Sequence, residues 1–492
     1  MPQLFRNILD RRSYARPLRI APPSVMQVRM LIWLYFWLII FEGALRKWVF
    51  PSLSDPLLLI RDPVVLLIYF QAIRGNFFPN HWLVRATLVL GVFTFFWGSM
   101  HAYAGGSKVM VLVTLYGVRT YFLHLPLIFI MGKVFTRQDV IKLGKWCLLL
   151  SIPMALLMAA QYKVDLGHWL NRGTQGEEGG QLMAAMGKVR PPGTFSFITG
   201  PATFYPLIVV YLVYGIMDPK AYPKWLLLAA AGATALALPI SGSRTLVLSC
   251  ALVLFFALIA LIRIPRLIPR FLLWGAVIGA AGIALLALPV GRQAVESFTT
   301  RWDEAIDFEG EGKGAGAGIS TRVGGNFTEV FYYLDTIPIE GYGIGAGTNV
   351  GVKLMTGGVG FLLGEGEWTR NVMEAGPILG FAYIGFRILF AVFLALLAWR
   401  KIGVGDPFGW LFMSCAAISL IIGQTAQPTT LGFMALISGL SLSAVGVMQE
   451  FVPMNENRRM WLEQRAQRAA EKAKQARKPA AGTEGQQEAD IG

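Results

Sequence analysis

Residues 240–263 read Ile-Ser-Gly-Ser-Arg-Thr-Leu-Val-Leu-Ser-Cys-Ala-Leu-Val-Leu-Phe-Phe-Ala-Leu-Ile-Ala-Leu-Ile-Arg, and Thr245 to Ile262 form 18 uncharged residues bracketed by Arg244 and Arg263. A helix rises ~1.5 Å per residue, so this run approaches the ~20 residues that cross a bilayer core. The string in front of it is equally informative. Ser241, Gly242 and Ser243 break the apolar pattern and set an arginine at the mouth of the span.

Working outward, the same criterion marks about twelve apolar segments. They lie near residues 30–44, 56–73, 83–101, 109–132, 140–160, 200–217, 224–240, 245–262, 270–290, 376–399, 408–424 and 430–449. The expected fold is an all-α polytopic membrane protein of about 12 transmembrane helices. Composition agrees: 492 residues that are 55% hydrophobic and 15% charged, with mean hydropathy +0.53, are too apolar for a soluble domain. A net charge of +15 would suggest nucleic acid in a soluble protein. Here the bases fall in short connections and tails, so they read as membrane orientation and no nucleic-acid partner is expected. Cys147, Cys250 and Cys415 sit in apolar runs and read as packing residues. His81, His101, His124 and His168 are scattered without ligand spacing, so neither a metal nor another cofactor is expected.

Residues 1–29 are basic and irregular, with no cleavable signal pattern, and read as a cytoplasmic segment. Basic pairs recur at alternate connections, as in Arg74 with Arg85, Lys133 with Arg137, Lys220 with Lys224, Arg263 with Arg266, and Arg400 with Lys401. The excess of bases in cytoplasmic connections then places both termini in the cytoplasm of a bacterial inner membrane. Residues 30–450 form the transmembrane domain and 451–492 a basic cytoplasmic tail. The same parity puts two long connections, 161–199 and 291–375, on the periplasmic side, the second of them between helices 9 and 10. That second connection carries twelve acids and six bases. Nucleotide-activated sugars are not available on that face, so an enzyme there needs a substrate already activated on a lipid.

Charges inside apolar spans are functional candidates by default. Glu42 with Arg46, Lys47 and Trp48 reads as an interfacial ion cluster. Arg61 and Asp62 stand side by side before Pro63 and read as a structural ion pair or else a substrate contact, and Arg387 lies in the tenth span. Arg119 has no carboxylate one helical turn away and is a candidate substrate contact. In the late connection, Arg322 is followed by Pro338 and by Gly341-Tyr342-Gly343-Ile344-Gly345-Ala346-Gly347. The glycines read as tight turns, because no strand-helix-strand unit surrounds them as a dinucleotide site requires. Glu365, Glu367, Arg370 and Glu374 follow. On a helix, Glu367, Arg370 and Glu374 share a face, so they either pair with one another or leave Glu365 or Glu367 as a general base. In the earlier connection, Arg190-Pro191-Pro192-Gly193-Thr194-Phe195 either covers a glycan or caps the bundle.

At these residues the chain resembles the bacterial O-antigen ligase and O-antigen polymerase superfamily of GT-C type membrane glycosyltransferases. The resemblance rests on the span count, the small-residue string ending in Arg244, the late connection with Arg322 and its glycine run, and the polar entry into Gly376-Pro377-Ile378-Leu379-Gly380. It implies metal-independent transfer of a glycan from undecaprenyl pyrophosphate to an acceptor glycan, with Arg244 and Arg322 holding the pyrophosphate. Ligases of this superfamily carry a histidine ahead of that glycine, and this connection has none. A polymerase is therefore favoured over a ligase, and Glu365 or Glu367 is inferred as the base. Arg119, Arg190, Arg370 and Tyr342 are further substrate-contact candidates. Two other classes remain open. A lipid-linked-oligosaccharide flippase or other transporter would line a cavity with Arg61, Asp62, Arg119 and Arg387. A non-catalytic subunit of an export complex would use the late connection and basic tail to bind other polysaccharide assembly proteins. Membrane lipids are partners in every reading.

Overall fold

The computed structural model describes residues 19–104, 108–174, 187–309, 315–358, 363–364 and 366–452. The described residues are mostly helical. The first half comprises α1 (Pro23–Ala44), α2 (Arg61–Arg74), α3 (Trp82–Ala104), α4 (Lys108–Val118), α5 (Leu125–Val134), α6 (Arg137–Lys163), α7 (Thr199–Met217) and α8 (Lys224–Ile240). The second half comprises α9 (Arg244–Arg263), α10 (Ile268–Leu286), α11 (Pro289–Glu309), α12 (Ala315–Tyr333), α13 (Asn349–Thr356), α14 (Glu367–Ile402), α15 (Phe408–Ile421) and α16 (Pro428–Val445).

Ten described helical segments are long and apolar enough to cross a membrane. Two of the expected twelve fall short by length, since α8 has 17 residues and α15 only 14. The first span also starts earlier than its apolar run. Pro23 occupies the opening turn of α1, where its fixed φ suits a helix start and its missing N–H costs nothing, so part of the 1–29 segment is already helical.

The larger correction concerns residues 291–375. They are not one long irregular connection but hold α11, α12 and α13, with the glycine run between the last two. Each of these helices needs only one apolar stripe, and a hydropathy search for spans passes over such polar-faced helices. α11 buries Ala294 and Ser297 beside α8, while α12 buries Val330 against α14.

Several basic residues and two short strands gather at one end of the bundle. There Arg19–Ile20 (β1) pairs in parallel with Phe451–Val452 (β2). Lys133 Nζ lies 3.1 Å from Glu450 Oε1, Arg137 Nη2 donates to Asp406 Oδ1 at 3.0 Å, and Arg270 Nη1 donates to the Met217 carbonyl at 3.1 Å. The first and last described segments therefore lie side by side. At the centre of the bundle stands α16, buried on every side from Thr430 to Val445. Small residues let it approach its neighbours: a Cβ at Gly439 would sit 2.4 Å from Met131 Sδ, and one at Gly132 would sit 2.7 Å from Leu442. Close backbone approach of this kind favours helix association in lipid, where hydrophobicity alone does not drive it.

We predict that cysteines introduced at Val404 and Gly358 react with a membrane-impermeant thiol reagent from opposite sides. The native Cys147, Cys250 and Cys415 are buried and should stay silent. Labelling of both positions from a single side would refute the alternation of helices described here.

Candidate functional site

The end of the bundle opposite the two strands is where the polar loops, the glycine run and most of the singled-out residues converge. Its scaffold begins at a break in α14. Gly376 has φ 79° there and Pro377 follows it, so the helical hydrogen-bond ladder is interrupted. The carbonyl of Met373 would ordinarily receive an N–H four residues on, and Pro377 has none to give. The Tyr342 N–H takes its place at 2.7 Å, and Gly343 N donates to the Glu374 carbonyl at 3.1 Å. The glycine run is thus stitched onto the broken helix. A side chain at Gly376 would put its Cβ 1.9 Å from the Ile339 carbonyl, and one at Gly345, φ 87°, would come within 2.3 Å of the Val113 carbonyl. These glycines serve left-handed turns and close packing, as their spacing in the sequence suggests.

The Glu374 side chain completes the attachment. Its oxygens accept from Gly345 N and Gly347 N, each at 2.9 Å, from Tyr121 Oη at 2.5 Å and from Arg370 Nη1 at 3.0 Å. Two turns earlier, Glu367 accepts from Arg370 Nη2 at 3.0 Å, Thr425 Oγ1 at 2.7 Å and Thr425 N at 3.2 Å, and it also pairs with Arg387. Arg387 in turn donates Nε to the Leu420 carbonyl at 2.5 Å, and Nη2 to Ser419 and Gly423 carbonyls at 3.1 and 2.9 Å. It therefore satisfies carbonyls that the end of α15 leaves without helical partners, and its charge complements that end of the helix dipole.

Glu367 is buried, and both its oxygens are engaged by two guanidinium groups and Thr425. Arg370 donates to Glu367, Glu374, Asn371 and Thr425. Glu365 lies outside the described residues. Tyr342 is partly exposed and donates its hydroxyl to the Thr336 carbonyl at 2.9 Å.

Ser241, Gly242 and Ser243 form a buried turn between α8 and α9. Gly242 has φ 56°, Ser241 Oγ accepts from Ser243 N at 3.1 Å, and Ser243 caps α9 by accepting from Leu246 N at 3.4 Å. Arg244, the first residue of that helix, is half-buried at the same end of the bundle. Arg322 lies on α12, and its side chain is outside the described residues. α12 is held against the start of α14, where Thr369 Oγ1 donates to Glu329 at 3.0 Å and Phe327 meets Trp368 edge-on at 5.0 Å. The two arginines thus belong to elements at one end of the molecule.

A second charged group lies among α1, α2 and α4. Arg119 does have a counter-charge: Asp62, 57 residues away, accepts from its Nε at 2.6 Å and its Nη2 at 2.7 Å. His124 Nε2 is 3.2 Å from the same carboxylate, and its Nδ1 is 2.8 Å from the Tyr35 hydroxyl. Arg61 does not pair with its neighbour Asp62 but places Nε 2.9 Å from Glu42 Oε2. Arg46 donates Nε to the Ser54 carbonyl at 2.8 Å and Nη1 to Ser196 at 3.1 Å. The segment after Arg190 packs beside this group. Lys47 Nζ donates to the Gly193 carbonyl at 2.8 Å and Thr194 Oγ1 to the Ile40 carbonyl at 2.7 Å, so the segment caps α1. Arg190 itself is half-buried, and its Nε meets no acceptor.

Among the described residues no three His, Cys, Asp or Glu side chains come together as a metal site would require. No protein-family model matches the chain, and no curated protein matches it either. Fold and site together define a multi-pass helical membrane protein with an arginine-rich, loop-covered end.

If Glu367 is structural, Glu367→Gln should lower the thermal stability of the detergent-solubilised protein sharply. Removing one partner of a buried pair costs roughly 3–5 kcal/mol. An unchanged melting midpoint together with lost activity would instead return Glu367 to the role of base.

Proposed function

We propose that the protein transfers or polymerises glycan repeat units carried on undecaprenyl pyrophosphate, without a metal, in the assembly of a bacterial cell-surface polysaccharide. In this reading it lies in the cytoplasmic membrane with both termini in the cytoplasm, and the loop-covered end faces the periplasm. The observation that carries the proposal is Arg244 at the start of α9, set beside the buried Ser241–Ser243 turn on the end that also bears α12. A helix start favours anions through its unpaired N–H groups and dipole, and a guanidinium fork matches phosphate oxygens.

In the proposed reaction an acceptor hydroxyl oxygen bonds to the anomeric carbon of the donor glycan. The bond from that carbon to the phosphate oxygen breaks, and the pyrophosphate leaves with the electron pair. Its developing charge is what Arg244 and Arg322 would stabilise. The hydroxyl proton passes to a carboxylate, for which Glu365 is the remaining candidate once Glu367 is committed to Arg370 and Arg387. Displacement opposite the phosphate inverts the anomeric centre. The acceptor is another glycan, and the absence of a histidine between residues 291 and 375 favours polymerisation over ligation to a different acceptor.

We predict that a deletion strain accumulates lipid-linked repeat units facing the periplasm, and that Arg244→Ala and Arg322→Ala do the same at normal protein levels. In vitro transfer from purified lipid-linked repeat, sized by gel, should fall by roughly 10²-fold or more with either variant. Full-length polysaccharide from both variants would end the transferase reading, and accumulation on the cytoplasmic face would favour a flippase.

A further inference from the structure

We infer that the group formed by Glu42, Arg46, Arg61, Asp62 and Arg119 is a binding site for a phosphoryl group, distinct from Arg244 and Arg322. The inference begins with a contrast between two arginines that are each only 1% exposed, Arg61 and Arg387. Arg387 has its nitrogens matched to three carbonyls and a carboxylate. The fold therefore supplies acceptors where an arginine is purely structural. Arg61 is treated differently: its Nη1 and Nη2 donate to nothing, and its Nε meets only Glu42 without hydrogen-bond alignment. Arg119, doubly bonded to Asp62, likewise leaves Nη1 without an acceptor. Buried donors are almost always satisfied, and those of a charged group at membrane depth are the costliest to leave unmatched.

The position of Arg61 is also built rather than incidental. Its Nη1 would lie 1.8 Å from a Cβ at Gly432, so the guanidinium rests on the bare backbone of α16. Any other residue at position 432 would push it away. Charge points to the ligand class. Three guanidinium groups face two carboxylates, and His124 lies between the Tyr35 hydroxyl and Asp62. The surplus is one positive charge, with Lys47 adjoining. A phosphoryl group offers several anionic oxygens to the unpaired Arg61 fork and to the spare Arg119 Nη1, a fit that a neutral sugar or a single carbonyl does not provide. The group arrives either on a lipid or as a free anion.

The test uses full-length protein in detergent, reading bound lipid by native mass spectrometry and affinity by the ligand-dependent shift in melting midpoint. The probes are phosphatidic acid, with phosphatidylcholine as the uncharged-net control, and inorganic pyrophosphate. Arg61→Gln should weaken phosphoryl binding at least tenfold. Glu42→Gln removes an anionic competitor while keeping every guanidinium, so it should tighten binding severalfold. Retention of phosphatidic acid alone would identify a lipid headgroup as the ligand, and response to pyrophosphate alone a soluble anion. No binding of either probe by the wild-type protein, or equal binding by wild type and Arg61→Gln, would overturn the inference. Should Arg61→Gln fail to fold, the absence of tightening in Glu42→Gln overturns it by itself. Neither variant touches Arg244 or Arg322, so a transferase lacking this site and a site without transferase activity give different results.

Discussion

The carboxylate of Glu374 joins parts of the chain that lie far apart in sequence: α14 itself, Tyr121 beyond α4, and the backbone of the glycine run at Gly345 and Gly347. Much of the loop-covered end depends on that one side chain. Its charge is tolerable because Arg370 supplies the opposite one from the next turn, and Arg370 is in turn balanced by Glu367 and, through it, Arg387. Charged hydrogen bonds in a low dielectric are strong when complete and costly when broken. The alternation of acid and base therefore makes the start of α14, the end of α15 and the glycine run a single rigid corner.

What was legible in the sequence follows from what is local. Apolar runs announced the spans, and the spacing of Glu367, Arg370 and Glu374 announced a shared helical face. Gly341, Gly343 and Gly345 announced turns, and all three have positive φ. Partners across the fold were hidden. Nothing near Arg119 in the chain indicates Asp62, and adjacency of Arg61 and Asp62 pointed to a pair that does not form, since successive helical residues point away from each other. The helices α11 and α12 were hidden for a different reason. Their glycines and charges look like loop composition, and only contact with α8 and α14 reveals which face is apolar.

The arginines of this protein divide by how completely they are matched. Those at the corner of α14 are saturated and hold structure together. Arg61 is buried and Arg119 partly so, yet both carry unmatched donors, which marks a different purpose from that of Arg387. Composition alone does not separate these classes, because both are single cations within apolar stretches. Their surroundings do, and the distinction comes down to whether the fold brings carbonyl oxygens to them.

The pairing of β1 with β2 has a consequence for biosynthesis. Synthesis proceeds from the N-terminus, so α1 to α5 enter the bilayer long before α16 exists. Yet α16 fills the centre of the bundle, and Gly432 on it forms part of the bed on which Arg61 lies. The strand Phe451–Val452, paired with Arg19–Ile20, forms only after α16 has been made. The early helices must wait in the lipid with charged groups not yet enclosed. Closure of this bundle is therefore set by α16 and the strand that follows it rather than by the helices made first.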